Sequence, residues 1–533
     1  MSTSTPEILA PILQEGSKLL NGLDQVLYKN IKACIVLKEY ICTSFGPDGL
    51  SKVIEQKTGK TLITSDTAVI LDNLALIHPS AKIISLASLS QEQESGDFAG
   101  FVILFAVELL TKSYDLIKQG FSISNIIDSF EEGLNVSLEI LETLAEYKIS
   151  DITDVKAIAS ILSLFVDFRY PGLNCYIAPQ IAYACVQIYS SGIRNFSTEN
   201  IRVIKILGGN FDQTKTIMGT VLIKDTEGSV KQIKRANAVI FLCDFTISST
   251  ETKNSIIFNT AQEILIFNKN EYYNVEKTIK EMSELGINLI IASNFSDISL
   301  FYMDKYNIMA IKIQSKFDLK RIARTCNTIF LTKIKIPNSE EIGKCESVSV
   351  KLFGSQKLIV FQQENSYKKV FTVIVRANST IMLDNIERTI YRTTSIFKSL
   401  TRDSRFVPGA GASEIEISRR ITSFAHKNYN GHKKFLIEKF GESFEIIPIT
   451  LIENSGQSVN KILSQLHFLH AKGYLFEGVD INHLNTINVK ELGIWDLFNS
   501  KYWAIKNTVE SVITILTTSQ IIMAKQTKVT EIN

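Results

Sequence analysis

Cysteine pairs of metal-binding or oxidoreductase spacing are missing from this sequence. Its cysteines, Cys34, Cys42, Cys175, Cys185, Cys243, Cys326 and Cys345, are odd in number, scattered, and never form C-x-x-C. That excludes a disulfide framework and a structural zinc site, and fits a reducing compartment where thiols serve as small apolar residues. Long hydrophobic runs are also missing: no window reaches about 18 uninterrupted apolar residues, and "MSTSTPEILAPILQEG" lacks a basic flank followed by an apolar stretch. The expectation is a cytoplasmic protein with no membrane partner. Nor is there an excess of one charge. Lys plus Arg number 57 against 55 Asp plus Glu, so nothing draws the chain in bulk to nucleic acid or anionic lipid, and no nucleic-acid partner is expected. Hydrophobicity, by contrast, is not scarce: 45% hydrophobic and 21% charged residues are enough to bury real cores. A chain of 533 residues suggests roughly three or four folding units.

Three textures follow one another. Apolar residues recur at helical spacing from Leu23 to Cys42 and stop at the Gly46-Pro47-Asp48-Gly49 loop. A strand pair reads through "SKVIEQKTGKTLIT", turning at Thr58-Gly59, and helical periodicity returns from Thr67, with two long segments between Gly100 and Leu144 split by Gly120 and capped near Ser122. From Lys205 to about Gln363, β-rich runs such as "NAVIFLCDF", "INLIIAS" and "KLIVFQ" alternate with amphipathic stretches such as "KFDLKRIARTC", the grain of an α/β layer. From Gly409 onward the pattern is helical again. A helical beginning and end around an α/β insert predict one domain made from both termini.

The loops carry a further pattern. "TSFGPDG" (residues 43–49), "TSDTAVIL" (64–71), "GDFAG" (96–100), "VPGAGASEIE" (407–416), "ENSG" (453–456), "GVD" (478–480) and "GIWD" (493–496) occur in an order and spacing that resembles the group II chaperonins of the TCP-1 family. "HPSAKIISLASLSQEQE", "KYNIMAIKIQSKFDLKRI", "LTRDSRFVPG" and "KYWAIKN" with "QIIMAK" bring it close to one subunit type of the eukaryotic cytosolic chaperonin. The resemblance implies a multidomain α and α/β chain: a helical equatorial domain (1–144 and 403–533), a small α/β intermediate domain (145–208 and 366–402) and an α/β apical domain (209–365) with a helical lid protrusion at about 246–275. Gly208-Gly209 stands where the apical insert would begin. It further implies assembly with paralogous subunits into a double ring, eight per ring, which folds client proteins such as actin and tubulin with ATP and Mg²⁺.

The same resemblance assigns a nucleotide site. Thr43, Ser44, Gly46 and Pro47 belong to a loop whose backbone N–H groups approach phosphate; Asp97 is the family's Mg²⁺ position; Asp66 is a second acid near the phosphates; Gly411, Gly478 and Asp496 line the nucleoside end. Arg169 matches a phosphate sensor. Other positions depart from the family. Where it has G-D-G-T-T, this chain has Gly96-Asp97-Phe98-Ala99-Gly100. Phe98 is bulky, and Ala99 and Gly100 lack hydroxyls; two lost hydrogen bonds to charged oxygen, at about 1.5–3 kcal/mol each, weaken binding by roughly two to four powers of ten. The family's hydrolytic aspartate falls at Arg392, beside Tyr391, and a guanidinium cannot act as a general base. Ala410 and Thr67 replace glycines around the same pocket. The expectation is a hydrolysis-deficient subunit with structural and client-binding roles. The rivals are an active ATPase, in which Asp66, Asp97 and a displaced base suffice, and a chaperonin-like protein working outside the ring.

Plainer readings stand beside these. Asp66 and Asp97 suit helix N-caps. His467, His470 and His483 suggest a metal but lack carboxylate spacing, so a solvated helix face is expected. Lys316, Lys320, Arg321 and Arg324 form a charged face rather than a nucleic-acid patch, having no aromatic interleaving. Trp495 and Trp503 read as core.

Overall fold

The structure, a computed structural model, describes residues 18–20, 23–56, 59–149, 151–166, 172–190, 196–245, 261–354, 356–363, 369–481, 485–518 and 521–523. The chain divides into two compact units, one of residues 1–150 with 395–533 and the other of residues 151–394.

The first unit is helical because its segments carry wide apolar faces that must be buried together. Helix Ala99–Lys118 is apolar nearly all round, and Phe101 to Val107 are at most 2% exposed; such a helix belongs at a centre. Helices Leu23–Cys42, Pro79–Ser95, Ile123–Leu144, Ala412–Asn428, His432–Glu442 and Phe498–Leu516 contribute to one shared core with it. Phe105 lies 4.4 Å from Phe444 between ring centroids, and Phe440 fits against Gly133, where an added Cβ would lie 2.5 Å from its ring. Ser122 caps helix Ile123–Leu144 by accepting from the Asn125 N–H. The two sequence halves also share a small sheet: strand Arg405–Pro408 pairs antiparallel with Trp495–Leu497 on one side and Tyr147–Lys148 on the other. Lys18–Leu20 pairs with Ile521–Met523, and Lys52–Glu55 with Thr61–Thr64 as the expected hairpin.

The second unit is built on a nine-stranded mixed sheet. Strands Gln232–Phe241, Leu289–Ala292 and Met309–Lys312 run parallel. Helices Ala261–Glu284 and Asp297–Lys305 make the crossovers. Strands Gly343–Phe353, Gln356–Gln362 and Lys215–Leu222 continue the sheet antiparallel, and Ile201–Leu207 lies parallel to Phe371–Ala377. Apolar clusters cover the sheet, one of them including Leu319, Ile322 and Cys326 of helix Lys316–Cys326. Gly208 and Gly209 follow Ile201–Leu207 with φ of 93° and 86°; a Cβ at Gly209 would meet the Arg376 guanidinium at 2.7 Å. Of the segment expected as a lid protrusion, residues 246–260 lie outside the described residues, and helix Ala261–Glu284 follows them.

Three expectations are corrected. His470 is not on a solvated face: it is fully buried, its Nδ1 3.0 Å from Glu416 Oε2 and its Nε2 2.9 Å from the Glu477 carbonyl. Its helix is amphipathic, and position 470 falls on the stripe with Ile462 and Leu466. His467 is 38% exposed and pairs with Glu445, whose hydrogen bond raises its pKa; His483 lies outside the described residues. Trp503 is 44% exposed rather than core, held between Tyr502 and Lys506. Not every thiol is a small core residue, since Cys175 is exposed.

Candidate functional site

Within the helical unit the expected loops converge from two directions. The first group sits where helices end. At Thr43 to Gly49 the chain leaves helix Leu23–Cys42; the Ser44 N–H and hydroxyl both donate to the Ile41 carbonyl at 2.9 Å, Thr43 Oγ1 accepts from Lys52 Nζ at 2.8 Å, and Asn454 Nδ2 donates to the Cys42 and Phe45 carbonyls at 2.7 Å. Gly46 has φ of 84° and abuts Leu451; Pro47 is exposed. Asp66 caps helix Thr67–Asn73, its Oδ1 accepting from the Ala68 N–H at 3.2 Å. Gly96 ends helix Pro79–Ser95, Asp97 follows half-buried, and Phe98 begins helix Ala99–Lys118. A Cβ at Gly100 would lie 2.9 Å from the Phe45 ring and 3.1 Å from Thr67 Oγ1, so the three loops touch there. Ser88 donates to the Ala99 carbonyl at 2.8 Å.

The second group is built on the small sheet and the start of helix Ala412–Asn428. Gly411 is its N-cap with φ of 79°, packed on Pro448. Gly478 and Asp496 lie in short strands, Glu477–Val479 and Trp495–Leu497, rather than in loops. The Val479 N–H donates to the Ala410 carbonyl at 2.9 Å, and a Cβ at Gly478 would be 3.0 Å from that of Ala410. A Cβ at Gly409 would be 3.2 Å from Asp496 Oδ1.

Lys501 joins the groups, and the sequence reading missed it. It is 1% exposed, and its Nζ donates to Asp496 Oδ2 and Glu414 Oε1, both at 2.8 Å, and to Ser413 Oγ at 2.6 Å, while lying 5.6 Å from the Phe98 ring centroid. The Ser413 hydroxyl in turn donates a hydrogen bond to the Pro408 carbonyl at 2.8 Å. Burial raises the Asp496 pKa, and the like charges of Glu414 and Asp97 add to this against the opposing pull of Lys501. Burial alone would depress the Lys501 ammonium, but Asp496 and Glu414 outweigh it and raise its pKa. A signal was present: position 501 falls on the stripe of Phe498, Ala504, Ile505 and Thr508, and a lysine on a core stripe requires an acid partner.

Two of the three substituted glycine positions, Phe98 and Ala410, share a property that Thr67 lacks. Among described non-glycine residues with positive φ are Phe98, at 70°, and Ala410, at 52°. A side-chain-bearing residue in that region costs roughly 1–2 kcal/mol, a penalty glycine avoids. Phe98 keeps the left-handed backbone while its ring lies edge-on to Phe101 at 5.8 Å.

Below this region Glu416 and His470 form a separate buried cluster. Burial would raise the Glu416 carboxyl, but hydrogen bonds from His470, Arg419 and Arg420 hold it at about 2. Among the described residues no group of three or more His, Cys, Asp or Glu is arranged to hold a metal ion.

Arg392 belongs to the second unit, half-buried on helix Thr380–Arg402 beside exposed Tyr391. On that helix Asp384 and Glu387 each accept from Lys205 at 2.7 Å. Arg169 lies outside the described residues. The charged face at 316–324 is partly neutralised: Arg321 pairs with Asp318, and Arg324 with Glu199.

Against Mg²⁺ and ATP the residues fit unevenly. The nucleoside end has small residues and one carboxylate. Where the resemblance places the phosphates a phenyl ring stands at Phe98, and both donors of Ser44 and an oxygen of Asp66 already bond within the chain. That end does not fit the group.

Comparison with known proteins agrees with the loop pattern. The TCP-1/cpn60 chaperonin family model matches residues 37–526. T-complex protein 1 subunit theta of Macaca fascicularis is 37% identical over 520 residues, covering 97% of this chain and 94% of the relative. The proteins of that name from Dictyostelium discoideum and Arabidopsis thaliana are 35% and 34% identical, covering 97% and 98% of this chain and 96% and 95% of the relatives. Both the helical unit and the mixed-sheet unit accord with the group II chaperonin fold. The chain belongs to the TCP-1/cpn60 chaperonin family.

Proposed function

We propose that this chain is a theta-type subunit of a hetero-oligomeric, double-ring cytosolic chaperonin, and that it contributes ring structure and client contacts while neighbouring subunits hydrolyse ATP. In this reading residues 1–144 and 403–533 form the equatorial domain, 145–208 and 366–402 the intermediate domain, and 209–365 the apical domain, with actin and tubulin among the clients. Similarity to subunit theta along almost the whole chain supports the assembly role. The observation that carries the loss of hydrolysis is the loop expected to meet phosphate: Phe98 holds a glycine-like φ of 70° and carries a phenyl ring packed on Phe101 where a glycine would leave the backbone bare. Arg392, in place of an acid, supports the same conclusion, because a guanidinium takes no proton from water at neutral pH.

The experiment is a ring carrying Asp97→Ala in this chain alone. We expect a particle near a megadalton that hydrolyses ATP at the unmodified rate. A clear fall in rate from this one substitution, with assembly intact, would favour an active ATPase subunit.

A further inference from the structure

Outside the loops just described, the second unit holds two cysteines, on a helix end and a strand, that lie in one apolar cluster. Cys326 is the last residue of helix Lys316–Cys326, and Cys345 lies in strand Gly343–Phe353. Both are buried, 0% and 5% exposed, in one apolar cluster. A Cβ built at Gly343 would lie 3.1 Å from the Cys326 Cβ and 2.6 Å from its carbonyl oxygen. Gly343 and Cys345, two apart on a strand, face the same way, so the helix end packs on the side from which Cys345 projects. Cys345 Sγ donates to the Gln362 carbonyl at 3.0 Å.

We propose that Cys326 and Cys345 form a redox-active pair that closes to a disulfide on exposure to a small disulfide oxidant such as glutathione disulfide. Cys345 is the attacking thiol, because it is the less deeply buried of the two, 5% against 0% exposed, and its pKa is lowered while its neighbour and burial raise that of Cys326. Cys345 sulfur bonds to one glutathione sulfur and the oxidant's S–S bond breaks, releasing one glutathione thiolate. Cys326 then attacks the Cys345 sulfur and displaces the second glutathione. Two protein thiols are oxidised and one small disulfide is reduced; the two thiol protons end on the two glutathione molecules. Burial makes the reaction slow, since the last turn of the helix must lift to admit the oxidant. The product ties that turn to the sheet and closes the loop carrying strand Phe330–Leu331.

The full-length folded chain is incubated with glutathione disulfide, alkylated, digested with trypsin and mapped by mass spectrometry without reduction. The expected product is residues 325–333 linked to residues 345–351, formed also in Cys175→Ser, which lacks the exposed competing thiol, and absent from Cys326→Ser and Cys345→Ser. Oxidation should raise the melting midpoint by roughly 5–10 °C, reversed by dithiothreitol. Recovery of both cysteines alkylated from a folded chain that took up glutathione at Cys175 would overturn the proposal. So would a linked peptide that forms only after the chain has been denatured.

Discussion

At the scale of single residues, the charges on Lys501 and Glu416 decide most. Lys501 is the buried cation among Asp496, whose side chain stays 27% exposed, and the buried Glu414 and Ser413. Replacing it by Met leaves the buried Glu414 carboxylate without its partner, and the loss should reach about 3–5 kcal/mol, read from chemical denaturation. Glu416, held at about 2 in the folded chain against an ordinary 4.5, has a depressed pKa. Its contribution, about 3 kcal/mol, is therefore complete above pH 4.5 and lost as pH falls toward 2. Glu416→Gln should be less stable at neutral pH and should lose up to one proton from the acid-unfolding slope between pH 5 and 2; an unchanged slope would refute the assignment. At Ala410 the left-handed backbone costs about 1–2 kcal/mol, and glycine's greater chain entropy returns about 0.5–1 kcal/mol of that. Ala410→Gly should stabilise by about 0.5–1 kcal/mol in thermal melts. Phe98 and Ala410 were visible in the sequence as departures from a pattern. Lys501 and Glu416 were not, because a charge reads as surface until its place on an apolar stripe is counted.

At the scale of elements, periodicity was a sound guide where burial is one-sided or complete. Helix Leu23–Cys42, the Lys52–Glu55 and Thr61–Thr64 hairpin and the Ser122 cap all stand where their residues placed them. Strand Gly343–Phe353 went unread, since "GKCESVSVKLF" alternates polar with apolar instead of forming a solid apolar run; its burial alternates accordingly along the first half. Gly478 and Asp496 read as loop residues because three-residue strands are too short to show a period. His470 was misplaced because neighbouring polar residues hid the stripe it shares with Leu466. Packing also reverses a propensity rule at Gly133. In a helix interior alanine is worth up to about 1 kcal/mol over glycine, yet its Cβ would fall 2.5 Å from Phe440. Gly133→Ala should therefore destabilise by about 1–3 kcal/mol, and a stabilised variant would show that the Phe440 contact yields easily.

At the scale of the whole molecule, the helical ends and α/β middle were legible because their textures differ, and both termini meet in one sheet through Arg405–Pro408. The loop Gly96 to Gly100 was legible only as a set of missing hydroxyls and glycines; the left-handed backbone at Phe98 was not visible in the local sequence. The central claim is that this subunit's pocket does not turn over nucleotide. A density map of the assembled particle, closed with an ADP–fluoroaluminate transition-state analogue and resolved well enough to see metal, tests it directly. Mg²⁺ and the analogue are expected in neighbouring subunits, with no such complex beside Phe98. The analogue bound there with its Mg²⁺ and an acidic side chain on the attacking water would contradict it.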